Sequence, residues 1–375
     1  MKGYAKPLNE FICGQQIQFV IPVYQRNYDW LQDNCDQLLS DLVKLIHSGR
    51  TSHFFGSIVT SVAGTGFSRL VIDGQQRLTT ISLLLLAGIK AVNDGLLEIS
   101  NESRKDEAYD LFLNAKYCNS ERKIKLVPIE NDRIAYDKIF NGEDELDEDS
   151  KITRNFRHFY DKLTRKPQQL TFDNLLDAVE HLQIISIELD ADDDAQLIFE
   201  SLNSTGLALT EADKIRNYLL MSLTAEEQQL CFKNYWQKIE SATENNPTKF
   251  LRDYLTIKQQ LQRPVRLSNI YFEWKKYMDG RDRKQEMVEM LDYARYYQQV
   301  TEAQMETSKL SAKMRHICNI ESDVTNVFFI QFLKYAATNN LSYDEIDKVI
   351  DVVENYLARR IICNMPGNAL TQVFC

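Results

Sequence analysis

The strongest candidate for chemistry is a polar segment that separates a short apolar run from a long leucine-rich one. It reads Asp73, Gly74, Gln75, Gln76, Arg77, Leu78, Thr79 and Thr80. The first backbone N–H groups of a helix attract anions, and a glycine lets a ligand approach closely. An arginine can hold phosphate with two parallel hydrogen bonds, threonine hydroxyls add donors, and the glutamines are suited to orient a water.

Asp73 needs a different role, because a carboxylate repels a phosphate unless a metal ion or a proton lies between them. We expect Asp73 to hold a hydrated Mg²⁺ or to position the attacking water. Spacing alone leaves a plainer interpretation open, in which Asp73 caps the helix and Arg77 pairs with a neighbouring acid.

A second segment, residues 21–30, reads IPVYQRNYDW. Its tyrosines, tryptophan, glutamine and arginine form a surface suited to nucleobases or to a DNA backbone. The alternative is that Tyr28 and Trp30 pack in the core. Gln25 and Arg26 are therefore the better candidates for ligand contact.

Two later segments give weaker signals. Asn203, in the string FESLNSTG, could recognise a base or a phosphate, although asparagine in such turns more often bonds its own backbone. Residues 258–284 carry eight basic side chains against three acidic ones, with aromatic residues between them. This stretch is the best candidate for a DNA-backbone surface, and its alternative is an amphipathic helix with a solvated basic face.

The elements that must position these residues can be inferred from periodicity. The pattern predicts a strand over residues 18–24 and a hairpin of residues 54–62 and 67–73 around an Ala-Gly-Thr-Gly turn. A buried helix follows from Leu78. The predicted fold is α+β and predominantly helical, with an α/β domain over residues 1–100 and a helical domain over residues 101–375.

The second predicted domain contains one late strand, near residues 182–189, and a helix capped by Thr210 and Asp213 in the capping-box spacing. Only 13 glycines and 7 prolines in 375 residues favour long helices.

Composition excludes several classes of protein. The apolar fraction of 44% fits a folded globular chain, and the longest apolar run, residues 81–89, is about half the length of a membrane span. Seven scattered cysteines without CxxC spacing argue against disulfides and zinc. The N-terminus lacks a signal sequence, so we expect a cytoplasmic protein without a membrane partner. A formal charge of −10 means that any nucleic-acid contact must use a local basic surface.

Taken in order along the chain, the motifs resemble one known family. IPVYQRNYDW, HFFGSIV, VIDGQQRLTT, FESLNSTGLALTEADKIRNYLL and ARRIICNMPGNAL are similar to the GmrS-like N-terminal module of the GmrSD type IV restriction endonucleases and their phage-defence relatives. The resemblance implies a small domain similar to those of ParB and sulfiredoxin, extended by a helical domain. It also implies binding and hydrolysis of nucleoside triphosphates with Mg²⁺ as the cofactor.

The resemblance assigns roles to particular residues. The DGQQR motif is the nucleotide site of the family, so the resemblance carries that role over to Asp73, Gly74, Gln75, Gln76 and Arg77, and it places Gln25 and Arg26 near the same pocket. It extends more weakly to Asn203 and Asp213. The residue chemistry given above makes Asp73, Gln75, Gln76 and Arg77 the expected catalytic residues, with Asp73 as the metal ligand, and adds Thr79 and Thr80 to the nucleotide-binding residues. For DNA, Tyr24, Gln25 and Arg26 come from the resemblance, and Arg266, Lys275 and Lys276 come from the basic stretch.

One departure from the family matters. Full members continue into an HNH-type nuclease domain, whereas the five histidines here are scattered without a His-Asn-His cluster. Nuclease activity is therefore not expected from this chain alone, and the nuclease would be supplied in cis or in trans. The ending NALTQVFC favours an N-terminal part of a longer enzyme over a standalone subunit.

The resulting hypothesis is an NTP-hydrolysing sensor module of a modification-dependent restriction or phage-defence system, which couples a triphosphate and modified double-stranded DNA to the nuclease. The alternative is a non-enzymatic ParB-like DNA-binding module. A nuclease site within these 375 residues is a third, disfavoured reading. The preferred triphosphate, the DNA modification and homo-oligomer formation are left open.

Overall fold

The chain folds as two compact units, Met1–Leu207 and Ala208–Cys375. The computed structural model describes residues 1–63, 67–118, 120, 123–165, 170–190, 192–202, 209–320, 323, 325–365 and 370–375. The sequence analysis expected a domain boundary near residue 100, whereas these two units divide at residues 207 and 208. The reason is that the last strand and several helices after residue 100 share the sheet and core of the first hundred residues.

The first unit is built on one mixed sheet. In the described residues its strands are β1 (Lys2–Pro7), β2 (Gln18–Val20), β3 (His53–Ala63), β4 (Ser68–Asp73), β5 (Leu126–Val127) and β6 (Leu182–Leu189). Their order across the sheet is β1-β6-β3-β4-β2-β5. β3 and β4 form the predicted antiparallel hairpin, and β6 joins β3 in parallel, so the late strand near residues 182–189 is also confirmed.

Helices cover this sheet. They are α1 (Leu8–Ile12), α2 (Gln32–Ser48), α3 (Gln75–Asn93), α4 (Ser103–Ala108), α5 (Glu130–Phe140), α6 (Lys151–Thr164), α7 (Phe172–Glu180) and α8 (Ala195–Leu202). A π-helical turn, Tyr109–Leu113, extends α4.

α3 is the buried helix that the sequence predicted. Leu83, Leu84 and Leu85 are fully buried in the core between the sheet and its helices. Each buried leucine contributes roughly 2 kcal/mol to folding, so the position of α3 is firmly fixed by packing. The first turn of α3 is fixed with it.

The strand predicted over residues 18–24 is shorter than expected. β2 ends at Val20, and the backbone N–H of Gln25 donates to the Pro22 carbonyl at 3.0 Å, which closes a turn. Pro22 has no N–H to continue a strand ladder. Residues 21–31 therefore form a loop, called the YQR loop below.

The second unit is helical throughout its described elements. They are α9 (Glu211–Leu220), α10 (Ala225–Cys231), α11 (Gln237–Ala242), α12 (Pro247–Lys258), α13 (Ile270–Met278), α14 (Arg283–Thr301), α15 (Ser308–Ile320), α16 (Asn326–Thr338), α17 (Tyr343–Ile362) and α18 (Leu370–Phe374), with a π-helical turn Phe232–Trp236 and a 3₁₀ turn Leu267–Asn269. The predicted capping box of Thr210 and Asp213 is present at α9. The predicted fold class, α+β and predominantly helical, is confirmed. None of the helices in the described ranges is long and apolar enough to span a bilayer.

Candidate anion-binding site

The junction between β4 and α3 places a helix start at the end of a strand, and Gln75 and Gln76 of that helix start are buried. β4 ends at Asp73, Gly74 adopts a left-handed conformation with φ of 96°, and α3 begins at Gln75. A Cβ on Gly74 would lie 3.0 Å from Cγ1 of Ile58, so the backbone conformation favours glycine and a side chain there would crowd Ile58. The sharp turn places Asp73 beside the first turn of α3.

Three charged side chains meet at this junction. Nη1 of Arg77 lies 3.9 Å from Oδ2 of Asp73 and donates to the Ser57 carbonyl at 3.2 Å. Arg26, from the YQR loop, also acts electrostatically on Asp73, and its Nη1 lies 3.8 Å from Oδ2 of Asp29. The predicted plain pairing of Arg77 with a neighbouring acid is therefore present, and a second arginine stands beside it.

Burial dominates the electrostatics of Asp73. It raises the pKa of the carboxyl above its usual range, although Arg77, the Gly74 N–H and Arg26 all act to lower that pKa. The Asp73 side chain is 20% exposed and that of Arg77 27% exposed. The site thus combines a carboxyl with raised proton affinity and two partly accessible guanidinium groups, which suits binding of an anion.

The glutamines of both motifs bond the backbone of the YQR loop and its neighbours. Gln76 makes three such bonds, accepting from the N–H groups of Asp29 and Trp30 at 2.8 and 3.2 Å and donating to the Asn27 carbonyl at 3.2 Å. Gln75 donates to the Arg26 carbonyl at 3.1 Å. The loop is therefore fastened directly to the first turn of α3.

Gln25 belongs to the YQR loop and bonds the backbone of β4. Its side chain is buried, and its Nε2 donates to the Ile72 carbonyl at 2.8 Å, next to Asp73. Each motif thus bonds the backbone of the other. The roles that the sequence analysis gave Gln25, Gln75 and Gln76 toward nucleotide, water or DNA stay predictions.

The remaining predicted residues of this region lie inside the unit. Tyr24, Thr79 and Thr80 are buried. The Thr80 hydroxyl donates to the Gln76 carbonyl at 2.7 Å and lies 2.7 Å from the Tyr28 hydroxyl. Their surroundings favour support of the loop, and their predicted contacts with nucleotide or DNA stay untested.

Sequence reasoning missed two residues that hold the other side of the YQR loop. Asp132, at the start of α5, accepts from the Tyr28 N–H at 2.6 Å, and burial raises the pKa of its carboxyl to about 6. Asn155, on α6, donates to the Tyr28 hydroxyl at 3.0 Å and to the Trp30 carbonyl at 2.8 Å. More than a hundred residues separate these partners along the chain, so no local pattern could have revealed them.

The resemblance also extended to Asn203 and Asp213. Asn203 lies outside the described residues. Asp213 belongs to the second unit, where it accepts from the Thr210 hydroxyl at 2.8 Å and pairs with Arg216 at 2.8 Å. Arg216 in turn pairs with Glu240 at 2.8 Å. These contacts give Asp213 a structural role in capping α9 and in a partly buried ion-pair network.

The predicted DNA-backbone residues also lie in the second unit, on and before α13. Arg266 and Lys276 are exposed, and Nζ of Lys276 lies 4.1 Å from the ring centroid of Phe272, which is 60% exposed. Lys275 is half-buried, and its Nζ lies 5.7 Å from the ring centroid of Tyr271. Other aromatic residues of this stretch, Trp274 and Tyr277, are buried in the core.

Comparison with known proteins identifies the family. The sequence model of the GmrSD restriction endonuclease N-terminal domain matches residues 8–220, more than half of the 375-residue chain. A search of curated proteins gives no match. The matched range includes the β4–α3 junction, the YQR loop and α9. The chain therefore belongs to the GmrSD restriction endonuclease family, of which it carries the N-terminal domain.

Proposed function

We propose that this chain binds and hydrolyses nucleoside triphosphates, with the β4–α3 junction as the phosphate site. The proposal rests on the placement of Asp73 beside two guanidinium groups at the start of α3, which follows the left-handed Gly74. Helix starts attract anions, and an arginine fork matches phosphate oxygens. Membership of a restriction endonuclease family supports a place for this activity in a restriction system.

The charged side chains take different parts. Arg77 and Arg26 bind phosphate oxygens, and the N–H groups of the first turn of α3 add donors. Asp73 accepts a proton from, or orients, the attacking water, for which a raised carboxyl pKa is favourable. Gln25, Gln75 and Gln76 hold the YQR loop so that Arg26 faces Asp73. A water-orienting role for the two glutamines of the motif requires a rearrangement of these bonds.

The alternative role for Asp73, in place of positioning the water, is to hold a magnesium ion that is shared with the substrate. Mg²⁺ is commonly held by one or two carboxylates together with substrate phosphates and water, and Asp73 is the carboxylate that would hold it here. When bound, the ion would neutralise charge on the transferred phosphoryl group. The triphosphate would also offset the repulsion between that ion and the two arginines.

We propose that modified double-stranded DNA binds through a separate surface in the second unit, formed by Arg266, Lys275, Lys276 and Phe272. Two basic side chains stand over aromatic rings there, an arrangement suited to a phosphate backbone. In this proposal the chain is a sensor that couples nucleotide and DNA to an HNH-type nuclease domain, supplied in cis or in trans.

Phosphate release by the purified chain tests the enzymatic proposal. ATP, GTP, CTP and UTP are each supplied with Mg²⁺, with and without DNA, and Asp73→Ala and Arg77→Ala are compared with the wild type. Asp33→Ala, an exposed acid on α2, is the matched control. We expect both site variants to lose phosphate release while keeping the wild-type circular dichroism spectrum. The control should keep both the phosphate release and the spectrum of the wild type. Normal turnover in both site variants would reject the site.

The competing function is a DNA-binding module without turnover. It predicts saturable DNA binding and no phosphate release with any of the four triphosphates under any metal. The exposed Phe272 and Lys276 favour DNA contact in either case, so DNA binding alone does not separate the two functions. Phosphate release, with its Asp73 dependence, does.

A further inference from the structure

β3 carries a bulge directly beneath Arg77. Its register with β6 shifts between Phe54 and Gly56, and Gly56 has a φ of 122°, a conformation that other residues rarely adopt. Immediately after the bulge, the Ser57 carbonyl accepts from Nη1 of Arg77 at 3.2 Å. The bulge therefore aims a backbone acceptor at the guanidinium.

The guanidinium lies against Gly56 itself. A Cβ on Gly56 would meet Nε of Arg77 at 2.7 Å, Cζ at 2.9 Å and Nη2 at 3.2 Å, and these are its three nearest atoms. By contrast, a Cβ on Gly3, in β1 of the same sheet, would meet nothing closer than Ile187 at 4.0 Å. The absence of a side chain at position 56 is thus what leaves room for the arginine.

The atoms in conflict sit at the far end of a flexible side chain. An alanine at position 56 would be strained by the φ of 122°, whereas its clash with Arg77 could be relieved by a rotation of that side chain. Such a rotation would break the bond to Ser57 and carry the guanidinium away from Asp73. The backbone strain would lower the stability of the unit, and the rotation would change the geometry of the charged site.

We infer that Gly56 is a positioning residue, whose missing side chain seats the Arg77 guanidinium beside Asp73 for contact with phosphate. The inference deepens the proposed function and rests on it for the identity of the ligand. The seat itself, formed by Gly56 and the Ser57 carbonyl, does not depend on what binds there.

The test has a structural arm and a binding arm. Crystal structures of the wild type and Gly56→Ala are compared at Arg77. Calorimetry then measures affinity for ATP, GTP, CTP and UTP with Mg²⁺ in the wild type, Gly56→Ala, Arg77→Ala and the double variant. Gly14→Ala is the control, because Gly14 has a φ of 104° but its Cβ would meet Ile17 at 3.2 Å rather than Arg77.

We expect Gly56→Ala to displace the guanidinium from the Ser57 carbonyl. It should weaken triphosphate binding by about ten- to a hundredfold, the value of a lost charge-assisted hydrogen bond. Because both substitutions remove the same contact, the double variant should bind no more weakly than Arg77→Ala. Gly14→Ala should bind as the wild type does.

The outcomes separate the inference from the proposed function. An unmoved guanidinium in the Gly56→Ala crystal overturns the inference, as do fully additive losses of affinity in the double variant. If the wild type binds none of the four triphosphates while the guanidinium moves as expected, the proposed ligand is wrong and the seat stands. If Gly56→Ala is too unstable to crystallise, the loss of melting temperature that it causes is compared in the wild-type and Arg77→Ala backgrounds. The backbone strain at position 56 is common to both backgrounds, so a smaller loss without Arg77 supports the inference and an equal loss overturns it.

Discussion

Replacing Gln76 with leucine should release the YQR loop from α3. Leucine preserves most of the buried volume but removes three hydrogen bonds, which Gln76 makes with the backbone of Asn27, Asp29 and Trp30. A hydrogen bond of this kind contributes about 1 kcal/mol, so the loop should lose about 3 kcal/mol of local stability. A loss of that size is a large fraction of the stability of a typical domain.

Hydrogen exchange measures this loss at the atoms concerned. The N–H groups of Asp29 and Trp30 donate to Oε1 of Gln76, so a peptide covering residues 25–31 reports their opening directly. A loss of about 3 kcal/mol corresponds to exchange up to about a hundredfold faster. We expect phosphate release to fall as well, because Arg26 would no longer be held near Asp73.

The matched control is Gln37→Leu. Gln37 is exposed on α2, where it donates to Asp41 at 2.9 Å, and surface substitutions of this kind usually change stability by less than about 0.5 kcal/mol. Gln37→Leu should leave exchange in residues 25–31 at the wild-type rate. Unchanged exchange of Asp29 and Trp30 in Gln76→Leu would refute the assigned role of Gln76.

Two further predictions concern the second unit. Arg266→Ala and Lys276→Ala should each weaken DNA binding and lower the slope of log affinity against log salt by about one. The control Lys348→Ala, at an exposed position on α17, should change neither quantity. Equal slopes in all variants would show that Arg266 and Lys276 are not part of the DNA surface. Burial raises the pKa of Asp253 from an ordinary 3.8 to about 6, so the stability contributed by its protonated form is present below pH 3.8 and lost as pH rises through 6. Asp253→Asn should therefore stabilise the chain at pH 7 by up to about 3 kcal/mol and have no effect near pH 3, as measured by urea unfolding; a pH-independent difference would contradict this.

Local sequence patterns predicted the elements around the site well. Two strand-like runs that flank a glycine-bearing turn predicted the β3–β4 hairpin, and a further strand-like run predicted β6. The apolar character of residues 78–89 on nearly every side predicted the buried helix α3. The capping box at Thr210 was equally readable, because its partners lie three residues apart. The DGQQR segment was correctly placed at a strand-to-helix junction, because it lies directly between the strand-like run and the apolar helix in the sequence.

The extent of the first unit was not readable in this way. The predicted elements change near residue 100 from mixed strands and helices to mostly helices, but the sheet is completed by β5 and β6 and the core by α5, α6 and α7. Whether a helix packs on an earlier sheet or on a later helix bundle depends on contacts between distant segments. Its own periodicity records only that one face is apolar.

Sequence alone determined which residue types stand at the candidate site: a carboxylate, two arginines and a glycine at the start of a helix. Only the tertiary structure decided which contacts the side chains of the site make. In it the amides of Gln25, Gln75 and Gln76 donate to backbone carbonyls, and Arg77 lies beside Asp73. The inferred role of Gly56 could not be predicted from the sequence either, because it depends on the guanidinium of Arg77 occupying the space where a Cβ would lie. Spacing encodes contacts within a turn or a hairpin, whereas contacts across the fold depend on where packing brings distant segments together.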